Sequence, residues 1–388
     1  MPLRSHKQAI QQALLERAVC FDSHAPYVHP ANLDDQDLAL SLTDILAWVA
    51  KTCRTDTAVF KVKVAQGARY LHCSAAGHTL LELLSTCFFL IRFQSPELRF
   101  DPRIELLLGA LELRAQHLVQ SHNFQAVLQQ DPDMWCDVLN ACVTQVRHDA
   151  RSRLFLLALR RHEEAIHKRF LDLKTYFKQV DAALPGSQVL RLDLEYRESA
   201  FHNSDGLENR YLRLQQDSRD WLAFVRQTLG SALVGEAWKF DFGSGHTYCM
   251  HAALVLNGPG RNEVTDIVSS LEDQWRHVTV NKGYSVDCNA APYPFEYRGM
   301  HPDGVFRSTV AERLHNCAVY MAHTDSILRV ELPGKATPFG IGVAPTDAKK
   351  MGKGTGRVPQ TTHVVRDTVH PLYACMPSAE PAAGSALR

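Results

Sequence analysis

The chain has 388 residues, with 42 Lys and Arg balanced by 42 Asp and Glu. At 45% apolar and 22% charged it has the make-up of a globular protein with room for two or three cores, which excludes a fibrous or unfolded chain. No run reaches the roughly 18 apolar residues of a membrane helix, MPLRSHKQAIQQ holds no apolar signal core, and ten scattered cysteines without a CxxC pair speak against a disulfide scaffold or zinc ribbon and for a reducing cytoplasm.

Residues 1–36, with Pro26, Pro30 and the acidic Asp34 and Asp35, read as loosely structured. Residues 37–184 read as a helical domain. DLALSLTDILAWVAK, HTLLELLSTCFFLIRF, PRIELLLGALELRAQHL and the stretch from Met134 onward space apolar residues by three and four, and LHCSAAG (71–77) marks where a strand or loop intrudes. HEEAIH (162–167) sets its histidines five apart, about 140° of helical arc, so it reads as a solvated face and not as a zinc-protease helix. Pro185 and Gly186 stop the region.

Beyond that break the period changes to two. SQVLRLDLEYR (187–197) places Leu190, Leu192, Leu194 and Tyr196 on one face and Arg191, Asp193 and Glu195 on the other, a half-buried strand. LENRYLRLQQDSRDWLAFVRQTLG (207–230) is an amphipathic helix ended by Gly230. WKFDF (238–242) and TYCMHAALVLNG (247–258) are strands joined by a short turn, and Asn262 caps a helix that carries Ile267, Leu271 and Trp275. YSVDC (284–288), a helix over about 305–324 and SILRVEL (326–332) complete a domain spanning 185–343. A tail rich in Lys, Gly, Thr, Pro and Ala occupies 344–388 and reads as disordered. The order β-α-β-β-α-β-α-β predicts an α+β protein: a helical N-terminal region, then a mostly antiparallel sheet with helices on one face.

Cys249 and His251 alternate onto one face of their strand, so they can share a divalent ion, and Asp193 or Glu195 from a neighbouring strand can complete the ligand set. The same pair also fits a small buried thiol beside a satisfied core histidine. If the strands at 187–197 and 247–257 are neighbours in one antiparallel sheet, His251 falls within about 8 Å of Asp193 or Glu195. Tyr320 is placed at the edge of its helix's apolar stripe, its hydroxyl free to reach a cleft, and His323 follows on the same side. That tyrosine suits a nucleophile and equally a boundary residue. No GxxxxGK[ST] is present, and GKGTGR (352–357) is a flexible basic run, so nucleotide hydrolysis is not encoded. Residues 151–180 hold eight Lys and Arg against three Asp and Glu, a basic stretch compatible with DNA or with an ordinary solvated face.

Over residues 185–342 the chain resembles the rolling-circle initiators and relaxases named for a His-hydrophobic-His (HUH) strand. The likeness is nearest to inovirus replication proteins and the YagK/YfjJ-type prophage C-terminal domain. VLRLDLEY, YCMHAALVLNG, VYMAHTDSILRV and PFGIG carry it. The resemblance implies single-stranded or origin DNA as partner, nicking and rejoining by Tyr320 attack at the start of rolling-circle replication, a bacterial cytoplasm, and a Mg²⁺ or Mn²⁺ ion held by His251. Cys249 stands where the family has its first histidine, and His323 where it has a lysine. Thiolate biases such a site toward Zn²⁺. Three outcomes stay open: a changed metal preference, replacement of Cys249 by His246, or loss of catalysis. The alternatives to a nicking enzyme are an inactive DNA-binding regulator on the same fold and a metal-dependent hydrolase in which Tyr320 is structural.

Overall fold

The computed structural model describes residues 35–92, 98–121, 123–184, 187–197, 200–201, 206–242, 248–258, 261–289, 309–332 and 338–343. The N-terminal segment 1–34, Pro185 and Gly186, His246 and the tail from 344, all invoked above, lie outside them.

The first region is helical, as its spacing predicts. Helix α1 (Asp35–Thr52) is followed by a hairpin of β1 (Phe60–Ala65) and β2 (Ala68–Cys73), then by α2 (Ala75–Arg92) and the short strand β3 (Leu98–Phe100). The hairpin turns on Gln66 and Gly67, both with positive φ (51° and 77°), the geometry that matches the strands' own twist. Helices α3 (Pro102–Arg114), α4 (Gln116–Gln120), α5 (Phe124–Gln130), α6 (Pro132–Ala150) and α7 (Arg153–Ala183) follow. Local chemistry sets their starts. Asp101 and Asp131 accept hydrogen bonds from Arg103 and Met134 N–H groups ahead of Pro102 and Pro132, and Ser152 caps α7 through the Phe155 N–H. Ile45, Leu80, Leu84, Cys87, Ile104, Leu111, Leu139 and Val146 form the core here.

The second region is a five-stranded sheet in the order β7-β4-β6-β5-β9, every adjacent pair antiparallel. Its strands are β4 (Gln188–Tyr196), β5 (Leu233–Phe242), β6 (Tyr248–Leu256), β7 (Gly283–Asp287) and β9 (Phe339–Ile341). Between them run α8 (Leu207–Leu229), α9 (Arg261–Val278) and α10 (Val310–His323), with the short strand β8 (Leu328–Val330) after α10. Gly230 ends α8 at φ +47°, the terminator its sequence announced. Gly340 lets β9 close on Trp238, since a Cβ there would lie 2.5 Å from the indole.

The α+β class holds, with one correction: helices cover both faces of the sheet. Leu190, Leu192, Leu194, Met250 and Leu254 pack against Trp221 and Val225 of α8 and Leu271 and Trp275 of α9. Val189, Ala237, Ala253 and Val255 on the opposite face pack against Phe170, Leu173, Phe177 and Val180 of α7 and the buried side of α10. The sequence placed α7 with the preceding helices, but the apolar stripe on its second half is buried on the sheet. The face of β4 that carries Arg191, Asp193 and Glu195 is therefore covered and not half solvated. The two regions are also stitched together: β3 pairs with β8, and the Asp101 N–H donates to the Ile327 carbonyl at 2.9 Å. Among the described residues no helix is long and apolar enough to cross a membrane.

Candidate active site

Side-chain alternation decides who meets whom. On β4, on β6 and on β5 beyond its bulge at Leu233–Gly235 the odd-numbered residues point toward α7 and α10. Asp193 lies opposite His251 in the β4–β6 pairing, and Lys239 opposite His251 and Asp241 opposite Cys249 in the β5–β6 pairing. The strands at 187–197 and 247–257 are thus neighbours, and Asp193 and His251 meet across them, as expected.

His251 Nδ1 is 2.6 Å from Asp193 Oδ1, and its Nε2 lies 3.6 Å from Asp241 Oδ2. Burial opposes a charge on this imidazole, but the Asp193 carboxylate, with Asp241 on the other side, outweighs it and holds His251 well above the ordinary histidine range. The Nδ1–H therefore donates to the Asp193 carboxylate. Asp193 is fully enclosed; burial pushes it up, yet His251 and Arg191 together hold it below the usual carboxylate range. Arg191, also without exposed surface, donates to the Ala252 carbonyl at 2.7 Å and to Asp193 at 3.4 Å.

Tyr320 reaches this cluster from α10. Its ring meets the His251 ring edge to face at 5.5 Å between centroids, and the Arg191 guanidinium lies over it at 5.4 Å. The expected position at the edge of an apolar stripe is corrected. Tyr320 is wholly buried, as is every α10 residue from Cys317 to His323, because the helix is clasped between the sheet and α7. His323 packs its ring on Phe170 of α7, 5.0 Å between centroids. Glu195 turns toward the sheet edge, where the Tyr284 hydroxyl donates to it at 2.5 Å. Cys249 is buried beside His251, and burial pushes its thiol up to about 11, so it is neutral at physiological pH.

Several members of the cluster were not singled out in the sequence. Lys239 is buried 3.0 Å from Asp241 and 2.5 Å from Asp325, and donates to the Thr324 hydroxyl at 2.8 Å. Asp325 also pairs with Arg169 of α7. The only signal for Lys239 and Asp241 was their alternation within WKFDF, which by itself reads as a solvent face. His162, assigned to a solvated face, is instead turned inward and hydrogen-bonded to the Ser326 carbonyl at 3.1 Å.

As a metal site the donor set does not fit. His251 engages carboxylates with both nitrogens, Cys249 keeps its proton, and Asp241 faces an ammonium. Among the described residues no group of three or more His, Cys, Asp and Glu side chains is arranged to hold an ion. What the arrangement offers is a buried tyrosine between an imidazolium and a guanidinium, two cations able to stabilise charge on a phenolate or a phosphate.

No protein-family model, no curated protein and no solved structure matches this chain.

Proposed function

We propose that the chain acts on DNA as an initiator of rolling-circle replication in a phage or prophage-like element, nicking and rejoining a single strand through Tyr320. The observation that supports this best is the meeting of Asp193, His251 and Tyr320, drawn from two strands and a later helix, at contact distance in one buried cluster. In this reading the Tyr320 oxygen bonds to phosphorus as the bond from phosphorus to the leaving sugar oxygen breaks. The net reaction moves the phenol's proton to that leaving oxygen, and the phosphodiester energy is kept for rejoining, so no nucleotide cofactor is needed. His251, already protonated, serves as proton donor and counter-charge, not as base. Arg191 stabilises the negative charge that develops beside the ring.

A second reading rests on a different observation. Tyr320 has no exposed surface, and Lys239 cross-links Asp241 to Asp325, a packing suited to a catalytically silent centre. The protein would then be a DNA-binding regulator on the same scaffold. Incubation with single-stranded origin DNA and a denaturing gel separate the two: the enzyme leaves a covalent protein–DNA adduct, the regulator only salt-sensitive binding.

A further inference from the structure

Lys239 stands at the centre of the buried polar layer, 2% exposed, with its ammonium facing oxygens of Asp241, Asp325 and Thr324 at 2.5–3.0 Å. These oxygens come from β5 and from the turn after α10, so the nitrogen ties a strand to the helix that carries Tyr320. An ammonium has donors and no acceptor; here it donates to the Thr324 hydroxyl and sits at ion-pair distance from two carboxylates. Carboxylate oxygens converging from separate elements are what a hard divalent ion would require, at the shorter distances of about 2.0–2.6 Å. Charge is matched locally as well. Asp193 is answered by Arg191 and His251, Asp325 by Lys239 and Arg169, and Asp241 by Lys239, while Glu195 accepts from Tyr284. A divalent ion added to this layer would bring two uncompensated buried charges.

We propose that Lys239 is the resident cation of this centre, a tethered ammonium in the place a divalent ion would need, and that the protein folds and assembles the cluster without binding Mg²⁺, Mn²⁺ or Zn²⁺ there. The proposal stands apart from the DNA reading, so it is tested on the free protein. Full-length protein dialysed against a chelator is titrated with Mn²⁺, the free ion is followed by electron paramagnetic resonance, and thermal melts are run in parallel. The wild type is expected to bind no equivalent of Mn²⁺ and to melt at an unchanged temperature. Lys239→Ala is expected to melt lower in metal-free buffer and to regain more than about 3 °C with millimolar Mn²⁺, because the Asp241 and Asp325 carboxylates then lose the ammonium between them. One equivalent of Mn²⁺ bound by the wild type and lost in Asp241→Asn overturns the proposal. So does a Lys239→Ala protein as stable as the wild type and indifferent to Mn²⁺. If Lys239→Ala cannot be recovered folded, the wild-type titration decides: no binding, or binding that survives Asp241→Asn, supports the tethered cation.

Discussion

Asp193 and His251 face each other across β4 and β6 with 2.6 Å between carboxylate and imidazole, and both side chains are buried. Such a pair is worth little against an apolar substitute of the same shape, but removing one partner strands a buried charge. Asp193→Asn is expected to cost about 3–5 kcal/mol in urea unfolding. His251→Gln should cost less, because Arg191 remains to face Asp193. The double variant should fall well short of additivity. Additive losses would show that the two residues do not act as a pair in solution.

Cys249 gives a prediction about reactivity. Its thiol is enclosed by the sheet and α10 and pushed up to about 11 by burial, so the nucleophilic thiolate is scarce and shielded. Alkylation followed by mass spectrometry should leave Cys249 unmodified in the folded protein while half-buried Cys53 reacts, and should reach Cys249 only in denaturant. Cys249→Ala is expected to be tolerated at a cost of about 1 kcal/mol. Rapid labelling of Cys249 in the native state would place it in an open cleft.

His162 ties α7 to the turn after the Tyr320 helix, donating to the Ser326 carbonyl at 3.1 Å, and burial holds its imidazole below the ordinary histidine range despite Asp101 nearby. Above the unfolded histidine value of 6.5 both states are neutral and the bond contributes in full; as pH falls below it, the unfolded chain takes up a proton that the folded chain resists, and stability is lost. His162→Gln keeps a donor without a titrating group, so its stability should fall less than the wild type's between pH 7 and pH 5. Parallel pH profiles for the two proteins would remove His162 from the acid response.

How far the chain could be read follows from period and reach. The strand read at 187–197 is β4 (Gln188–Tyr196), that at 247–258 contains β6 (Tyr248–Leu256), and the helix ended by Gly230 is α8 (Leu207–Leu229). In each, a long run of one period was bounded by a turn residue. Asp193, His251 and Tyr320 were nameable because strand alternation and helix spacing are local. Lys239, Asp325 and Arg169 were not, because their meeting depends on α7 folding back over the sheet, about seventy residues from Lys239 and more than a hundred and fifty from Asp325. The same long-range packing turned the expected solvent face of β4 into a buried charge layer. Strands β3 and β8, three residues each, are too short to show a period at all.

Tyr320 carries the decisive test of function. Phenylalanine keeps the ring and loses only the oxygen, so the edge-to-face contact with His251 and the place under Arg191 survive in Tyr320→Phe. Stability should therefore stay within about 1.5 kcal/mol of the wild type, roughly the worth of a buried hydroxyl's hydrogen bonds. DNA affinity should also persist, since it comes mainly from Lys and Arg contacts to phosphates and falls steeply with salt in wild type and variant alike. The covalent adduct with single-stranded origin DNA should vanish, because the phenolic oxygen is the atom that bonds to phosphorus. An adduct that survives in Tyr320→Phe moves the nucleophile to another tyrosine, with Tyr293 and Tyr297, outside the described residues, next to be replaced. No adduct from the wild type, with or without added metal, alongside intact binding, makes the protein a DNA-binding regulator. Tyr320 is then a core residue whose ring packs between His251 and Arg191.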